Sequence, residues 1–466
     1  MARGQGRGGY FEAFRAKMEA EGLPPEVVTA FGHYYGQLES GFTGKVPDAV
    51  IRSLRDENVP SLSVLQRHSG AGLRGLDKLA VIKLNGGLGT SMGLERAKSL
   101  LPVKQSLTFL DITVRQVRRL REISRVPVPL VFMNSFNTHR DTLDALAEFD
   151  NDESGLPLAF VQHKYPKVRR SDLAPAEFPA DRRLEWNPPG HGDIYTAMVT
   201  SGILGALLER GYEYAFISNS DNLGAVFDSA MLGFCLTERP PFVMEVARRT
   251  AADRKGGHLA RHDDGRLLLR EVAQCPEDEL EAFQDVDRFR FFNTNSLWIS
   301  LPALQEAFER HGMLRLDLIV NPKTVDPRDP ESEPVYQMET AMGAAISAFE
   351  GSAVVEVPRS RFAPVKTTAD LLAIMSDCYV LTRDHLVVAN PDRDLGAIDI
   401  RLDDRFYKKI DDFMARMPQG PPSLLRCKSL DVTGDVVFMP GAELSGDVRL
   451  CNDSSEPMIV DGPVTG

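Results

Sequence analysis

Residues 83–98 read KLNGGLGTSMGLERAK: Gly86, Gly87, Gly89 and Gly93 follow a short apolar run, and Lys98 closes the stretch. A glycine-rich turn between strand and helix presents bare backbone N–H groups to phosphate, and Lys98 would add charge. The competing reading is a tight turn whose glycines serve only to allow positive φ. The spacing Gly87-x-Gly89-x-x-x-Gly93 is one residue too long for the dinucleotide pattern G-x-G-x-x-G. No glycine precedes Lys and Ser/Thr directly, so a Walker loop is excluded as well.

The elements that would position such a loop are visible around it. Apolar runs at 78–84, 128–133, 158–161, 214–218 and 242–247 alternate with helical candidates such as TFLDITVRQVRRLREIS and DIYTAMVTSGILGALLERG. That alternation predicts an α/β domain with a largely parallel sheet. Ligands in such sheets bind beyond the carboxyl ends of the strands. The segments just after these runs are polar, with small or amide side chains: NGGLGTSMG, NSFNT, QHKYP and NSDNLG.

Upstream, two helices are expected between Tyr10 and Leu65, with Gly22 and Gly41 as stops. The glycines of the first residues read as a frayed lead-in, and HSGAGLRG (His68 to Gly75) as a loop. After about residue 390, IDIRLDDRFYKKIDDFMARMPQGPP reads as a helical linker with a Pro/Gly break. VTGDVVF at 432–438 is echoed by LSGDVRL at 444–450, twelve residues later. Two six-residue steps suit a short parallel β-helix, and an antiparallel hairpin pair fits the same spacing.

Composition narrows the classes. At 466 residues, with 43% hydrophobic and 26% charged, the chain has material for two or three domains and an ordinary buried core. No apolar run approaches the ~20 residues that span a bilayer, and the N-terminus does not read as a signal peptide. Five scattered cysteines, never in C-x-x-C spacing, argue against a disulfide framework or zinc site and fit a reducing cytoplasm. A net charge of −12 argues against nucleic acid as a partner. A phosphate site here must therefore bring its own local positive potential.

The run LNGGLGTSMGLERAKSLLPVK resembles the nucleotide-binding signature of the eukaryotic-type UDP-glucose pyrophosphorylases. The similarity continues, in the family's order, through FLDITVRQV, PLVFMNSFNT, PPGHGDIY, ISNSDNLGA, FVMEVARRTAADRKGG, FNTNSLWISL, ETAMGAAI and VPRSRFAPVKTTADLL. It implies a Rossmann-like, GT-A-like nucleotidyltransferase domain with a mostly parallel mixed sheet, followed by a short C-terminal left-handed parallel β-helix. The expected division is an N-terminal helical segment (1–75), a catalytic domain (76–388) and a linker helix with β-helix (389–466). The implied reaction joins UTP and glucose 1-phosphate into UDP-glucose and pyrophosphate with Mg²⁺. The alternatives are another or broader sugar choice, or a catalytically silent UDP-sugar sensor.

By the same resemblance Lys98 would bind the triphosphate and Lys366 would reach the α-phosphate and the attacking phosphate together; these two are the catalytic candidates. Asp221 would hold Mg²⁺, where a bare sequence reading favours a helix N-cap. Leu84, Asn85, Gly86, Gly87, Gln162 and Gly190 complete the UTP set, with Gln162 at the uracil edge. Gly86, Gly87, His191, Asn219, Ser220, Glu271, Asn293 and Asn295 form the sugar-phosphate set. Asp193 would cap the helix from Ile194. Two departures from the family pattern stand out: Glu95-Arg96-Ala97 replaces the usual approach to Lys98, and Ser296 stands where another Asn is common. The C-terminal part is also shorter than usual, which leaves self-association through it as an open expectation.

Overall fold

The computed structural model describes residues 9–466 apart from Glu95, Glu148, 150–153 and 251–252. The expected lead-in of residues 1–8 lies outside the described residues. Helices α1 (Phe11–Ala20) and α2 (Pro25–Glu39) form as predicted, and Gly22 and Gly41 follow them with φ of 71° and 85°. Their aromatic stripe, including Phe14, Phe31 and Tyr35, packs with Tyr165 and Trp186.

The segment 68–75 is not a loop. Ser69–Arg74 is a helix, α3, and Gly72 is the reason it can sit there. A Cβ on Gly72 would lie 1.9 Å from Ser229 O, and one on Gly233 would lie 1.9 Å from His68 O. The glycines let two helices touch backbone to backbone, so residues that read as loop-formers act as packing surfaces.

The central sheet comprises β1 (Ile51–Ser53), β2 (Leu79–Asn85), β3 (Leu130–Asn134), β4 (Ala159–Val161), β5 (Tyr214–Asn219), β6 (Phe242–Arg248), β7 (His258–His262), β8 (Leu267–Arg270), β9 (Phe291–Ser300) and β10 (Ala353–Glu356). Its order is β1-β7-β9-β5-β2-β3-β4, with β8 on β7, β6 on β9 and β10 on β6. Every residue of β2 is buried, and alternate side chains serve opposite faces. Leu79 and Val81 join α4 (Phe109–Ser124), while Ala80, Ile82 and Leu84 join α5 (Ile194–Thr200) and α6 (Ile203–Glu209). Helix α4 starts at a capping box made by Thr108 and Asp111.

The expectation of a mostly parallel sheet holds for one half only. Strands β5, β2, β3 and β4 pair in parallel, as do β6 and β10. Strand β9 runs antiparallel to β5 and β6, and β7 is antiparallel to β1, β8 and β9. Helical crossovers link the first strands, but the chain from β6 to β9 returns through the β7–β8 hairpin, which reverses direction. The sheet is mixed.

Past residue 390 the predicted helical linker opens with a strand. Strands β11 (Asp399–Leu402), β12 (Ser423–Thr433), β14 (Glu443–Cys451) and β16 (Pro463–Thr465) pair in parallel in that order, and β13 (Val436–Phe438) pairs in parallel with β15 (Met458–Val460). The stacking step differs from the twelve-residue echo: Val432 pairs with Leu450, eighteen residues on. Between β11 and β12 lie Asp404–Tyr407 and a helix, Ile410–Ala415. Tyr407, Ile410 and Phe413 share one apolar cluster with Met92 of the glycine loop and Val365.

Candidate active site

The parallel strands end together, as the sequence pattern requires. Strand β2 runs into the glycine loop, β4 into Gln162, and β5 into Ser220 and Asp221. Gly89 and Gly93 adopt φ of 66° and 74° around the short turn Thr90–Met92, so the tight-turn reading is correct for these two. It does not account for Gly87, whose Cβ would meet nothing within 4 Å. The backbone N–H groups of Gly86 and Gly87 find no acceptor among the described residues. Donors without partners are what an anion needs.

Lys98 crosses beneath this loop. Its Nζ donates to Asp221 Oδ2 at 2.6 Å and to the backbone carbonyl of Val365. Three distant segments thus meet at one ammonium. Asp221 caps no helix; that task falls to Asp228, which accepts from Ala230 N–H and Met231 N–H ahead of Ser229–Glu238. Lys366 follows Val365 with its side chain exposed, and its N–H donates to Asp370 Oδ2 at 2.8 Å. Thr367 and Asp370 form a capping box there, opening helix Thr368–Met375. Burial raises the Glu271 carboxyl, and the Lys366 ammonium acts in the opposite direction.

The opposite wall is built around a histidine. His191 Nδ1 accepts from Met342 N–H at 3.0 Å, so the neutral ring carries its proton on Nε2. Burial lowers His191 to about 4, from an ordinary 6.5. The folded state therefore binds fewer protons than the unfolded chain. The stability this contributes is complete above about 6.5 and is lost as pH falls toward about 4. His191→Gln should flatten the acid limb of the stability profile by about 2 kcal/mol between those limits. Urea titrations at pH 7 and pH 4.5 would show it, and an unchanged difference between the two would contradict the assignment.

Gly190, at φ 80°, has its Cβ direction filled by Thr340, whose O and N would lie 2.4 and 2.9 Å away. Asp193 does not cap α5. Its carboxylate accepts from His163 N–H at 2.7 Å and contacts His163 Nδ1 at 3.0 Å, fixing the loop after Gln162. Gln162 packs over Gly86, where a Cβ would come within 3.1 Å of Nε2. Leu84 joins the core cluster with only a rim exposed, 9% of its surface.

Two of the predicted contact residues face inward. Asn85 Nδ2 donates to Asn134 Oδ1 and Thr142 Oγ1, both at 2.8 Å, and Asn85 Oδ1 accepts from Ser220 Oγ at 3.0 Å. Their side chains lock adjacent strand ends together, leaving Asn219 at the open edge. Where β6 pairs with β9 the register shifts between Glu245 and Val246, and Asn295 of β9 takes a φ of 56°. Asn293 Nδ2 donates to Asn295 Oδ1 at 2.8 Å, and Asn295 N–H donates to Asn293 Oδ1 at 2.9 Å. Glu271 and Asn293 lie against Gly257 and Gly343, which leave no room for a Cβ. Ser296 points away, fully buried opposite Glu245, so its departure from Asn does not touch this edge.

A model described as UTP–glucose-1-phosphate uridylyltransferase matches residues 28–445. The chain is also similar to the protein of that name from Solanum tuberosum, 40% identical over 442 residues covering 94% of this chain and 91% of the relative. The chain belongs to the UTP–glucose-1-phosphate uridylyltransferase family. The Hordeum vulgare member is 41% identical over 392 residues, 84% of this chain and 80% of the relative. A variant of UDP-glucose pyrophosphorylase from Leishmania major, solved in complex with UDP-glucose, superposes with a TM-score of 0.91 at 40% identity, covering 99% of each chain. UDP-glucose phosphorylase from Trypanosoma brucei gives 0.87 at 41% identity, covering 98% of this chain and 100% of that one.

Within this uridylyltransferase fold the sequence pattern does not reveal one cation. Lys409 lies against the glycine loop, where a Cβ on Gly93 would fall 2.7 Å from its Cδ and 3.5 Å from its Nζ. Lys409 falls in the stretch read as a helical linker, and only the tertiary return of the chain brings it to the loop. Among the described residues there is also no group of three or more His, Cys, Asp or Glu arranged to hold a metal.

Proposed function

We propose that this chain transfers the uridylyl group of UTP to glucose 1-phosphate, forming UDP-glucose and pyrophosphate. The observation that carries the reading is the convergence of Lys98, Asp221 and the Val365–Lys366 segment under a loop with free amide donors. A phosphate oxygen of glucose 1-phosphate attacks the α-phosphorus of UTP. The bond from that phosphorus to its bridging oxygen breaks, and pyrophosphate leaves with the electron pair. Both reactants are anions, so the chain must supply alignment and charge, and no side-chain base is needed.

Gly86 and Gly87 donate backbone N–H groups to phosphate oxygens, and Lys98 exchanges Asp221 for the triphosphate. Lys366 neutralises the attacking phosphate and the α-phosphate at once. Gln162 reads the uracil edge beside Leu84 and Gly190, and His191 donates from Nε2 to the sugar phosphate. Asn219, Glu271, Asn293 and Asn295 meet the hexose hydroxyls.

The donor set fits Mg²⁺, which takes one or two carboxylates and completes its shell with phosphate and water. Asp221, one-fifth exposed at the mouth of β5, is the carboxylate that would hold it. When bound, the ion adds positive charge at the transferring phosphoryl group.

The C-terminal strands read as the first coils of a left-handed β-helix, an eighteen-residue step being three six-residue faces. Strand β16 ends the sheet order, and self-association would run through its open edge. The division at 75/76 and 388/389 belongs to the same reading. The cysteines are free and no described helix is long and apolar enough to cross a membrane; a cytoplasmic setting accords with the free thiols.

The test is pyrophosphate release from UTP with a panel of sugar 1-phosphates, with and without EDTA. Chelator-sensitive release strongest with glucose 1-phosphate is expected. Equal release with another sugar would redirect the specificity, and binding of UDP-glucose without any release would replace the enzyme with a sensor.

A further inference from the structure

We propose that Asn222 is a positioning residue for the transfer step: its carboxamide fixes the backbone that delivers Lys366 to the phosphates. The inference rests on the role assigned above to Lys366. Asn222 directly follows Asp221 and is buried, with 2% of its surface exposed. Its Nδ2 donates to Arg361 O at 3.0 Å, and its Oδ1 accepts from Ala363 N–H at 3.0 Å. A backbone bridge pairs Asn222 with Pro364.

An Asn after a strand usually bonds its own neighbouring backbone. Here only the bond from Gly224 N–H, at 3.3 Å, is of that kind. The others span 139 and 141 residues of sequence. The approach is close: a Cβ on Gly224 would stand 2.3 Å from Ser360 O. Pro364 has no N–H to offer a neighbouring strand, so the carboxamide supplies both a donor and an acceptor where the segment has no regular ladder. Only an amide provides both at this length; a carboxylate lacks the donor.

The consequence falls on Lys366. Beyond Pro364, Val365 O accepts from Lys98 Nζ, and Lys366 N–H is held by Asp370. The lysine's main chain is therefore fixed on both sides while its side chain remains exposed. The residue that presents the carboxylate and the residue that anchors the lysine segment are consecutive, so the two charges keep one separation.

A double-mutant cycle tests this. Asn222→Ala should lower kcat about 100-fold, the scale of a 1 Å misplacement, with KM for UTP within about two-fold. In a Lys366→Ala background the same substitution should lower kcat no more than about two-fold, because the group it positions is absent. UDP-glucose binding, measured by calorimetry, should persist in every variant. If Asn222→Ala does not accumulate as folded protein, Asn222→Ser enters the same cycle. Losses that multiply in the double variant would overturn the proposal and leave Lys366 in its role. Full turnover by Lys366→Ala alone would overturn that role, and with it this inference.

Discussion

Lys366→Ala is expected to lower turnover about 1000-fold while UDP-glucose still binds. Removing one preorganised charge from a transferring phosphoryl group costs about 3–4 kcal/mol of transition-state stabilisation. Lys366 suits that role because its backbone is anchored on each side by Lys98 and Asp370 while its side chain is exposed. Its charge also opposes the rise that burial causes in the Glu271 carboxyl. Single-turnover kinetics beside calorimetric binding separate the two effects. A fall in affinity matching the fall in rate would make Lys366 a binding residue, and an unchanged rate would remove it from the site.

The largest stability effect is expected at Glu245→Ala, a loss of about 3–5 kcal/mol. Glu245 is fully buried and accepts from Trp298 Nε1 at 2.9 Å, Arg361 Nε at 2.8 Å and Arg361 Nη2 at 2.7 Å. Deleting it strands the Arg361 guanidinium in the core. It also removes a countercharge from Lys83, which burial and Arg361 already lower to about 7 while Glu245 pulls upward. Lys83 would then shed its proton more readily, so the loss should be deeper at pH 6 than at pH 9. Urea unfolding at both values measures it. A midpoint within error of the parent would mean that water reaches Arg361.

Part of the candidate site is legible without the fold, and each exception has a physical cause. Strand ends and the glycine loop announce themselves because local chemistry changes where apolar runs stop. Asp221 reads as a helix cap on residue type alone, and it and Lys366 stand out only through the family resemblance. The helix at Ser69–Arg74 reads as a loop because Gly72 has a meaning only against Gly233, far along the chain. The reversal of β9 is hidden because strand direction depends on the return path and leaves no mark in residue type. Asn85 and Ser220 look like ligand contacts among so many amides and hydroxyls. They turn inward because the end of β3 places Asn134, and the helix His139–Ala145 places Thr142, beside Asn85, which in turn accepts from Ser220. Lys409 escapes notice for the opposite reason: nothing near it in sequence resembles a site.

The glycine loop rests on Met92, and Met92 is packed with Tyr407, Ile410 and Phe413. A ribosome emits the loop long before it emits its backing. A nascent chain can carry every strand of the central sheet and still lack these three members of the cluster. Part of the loop's apolar surroundings is thus translated only after the last strand of the central sheet, so the cluster can close only when distant parts of the chain have both been made.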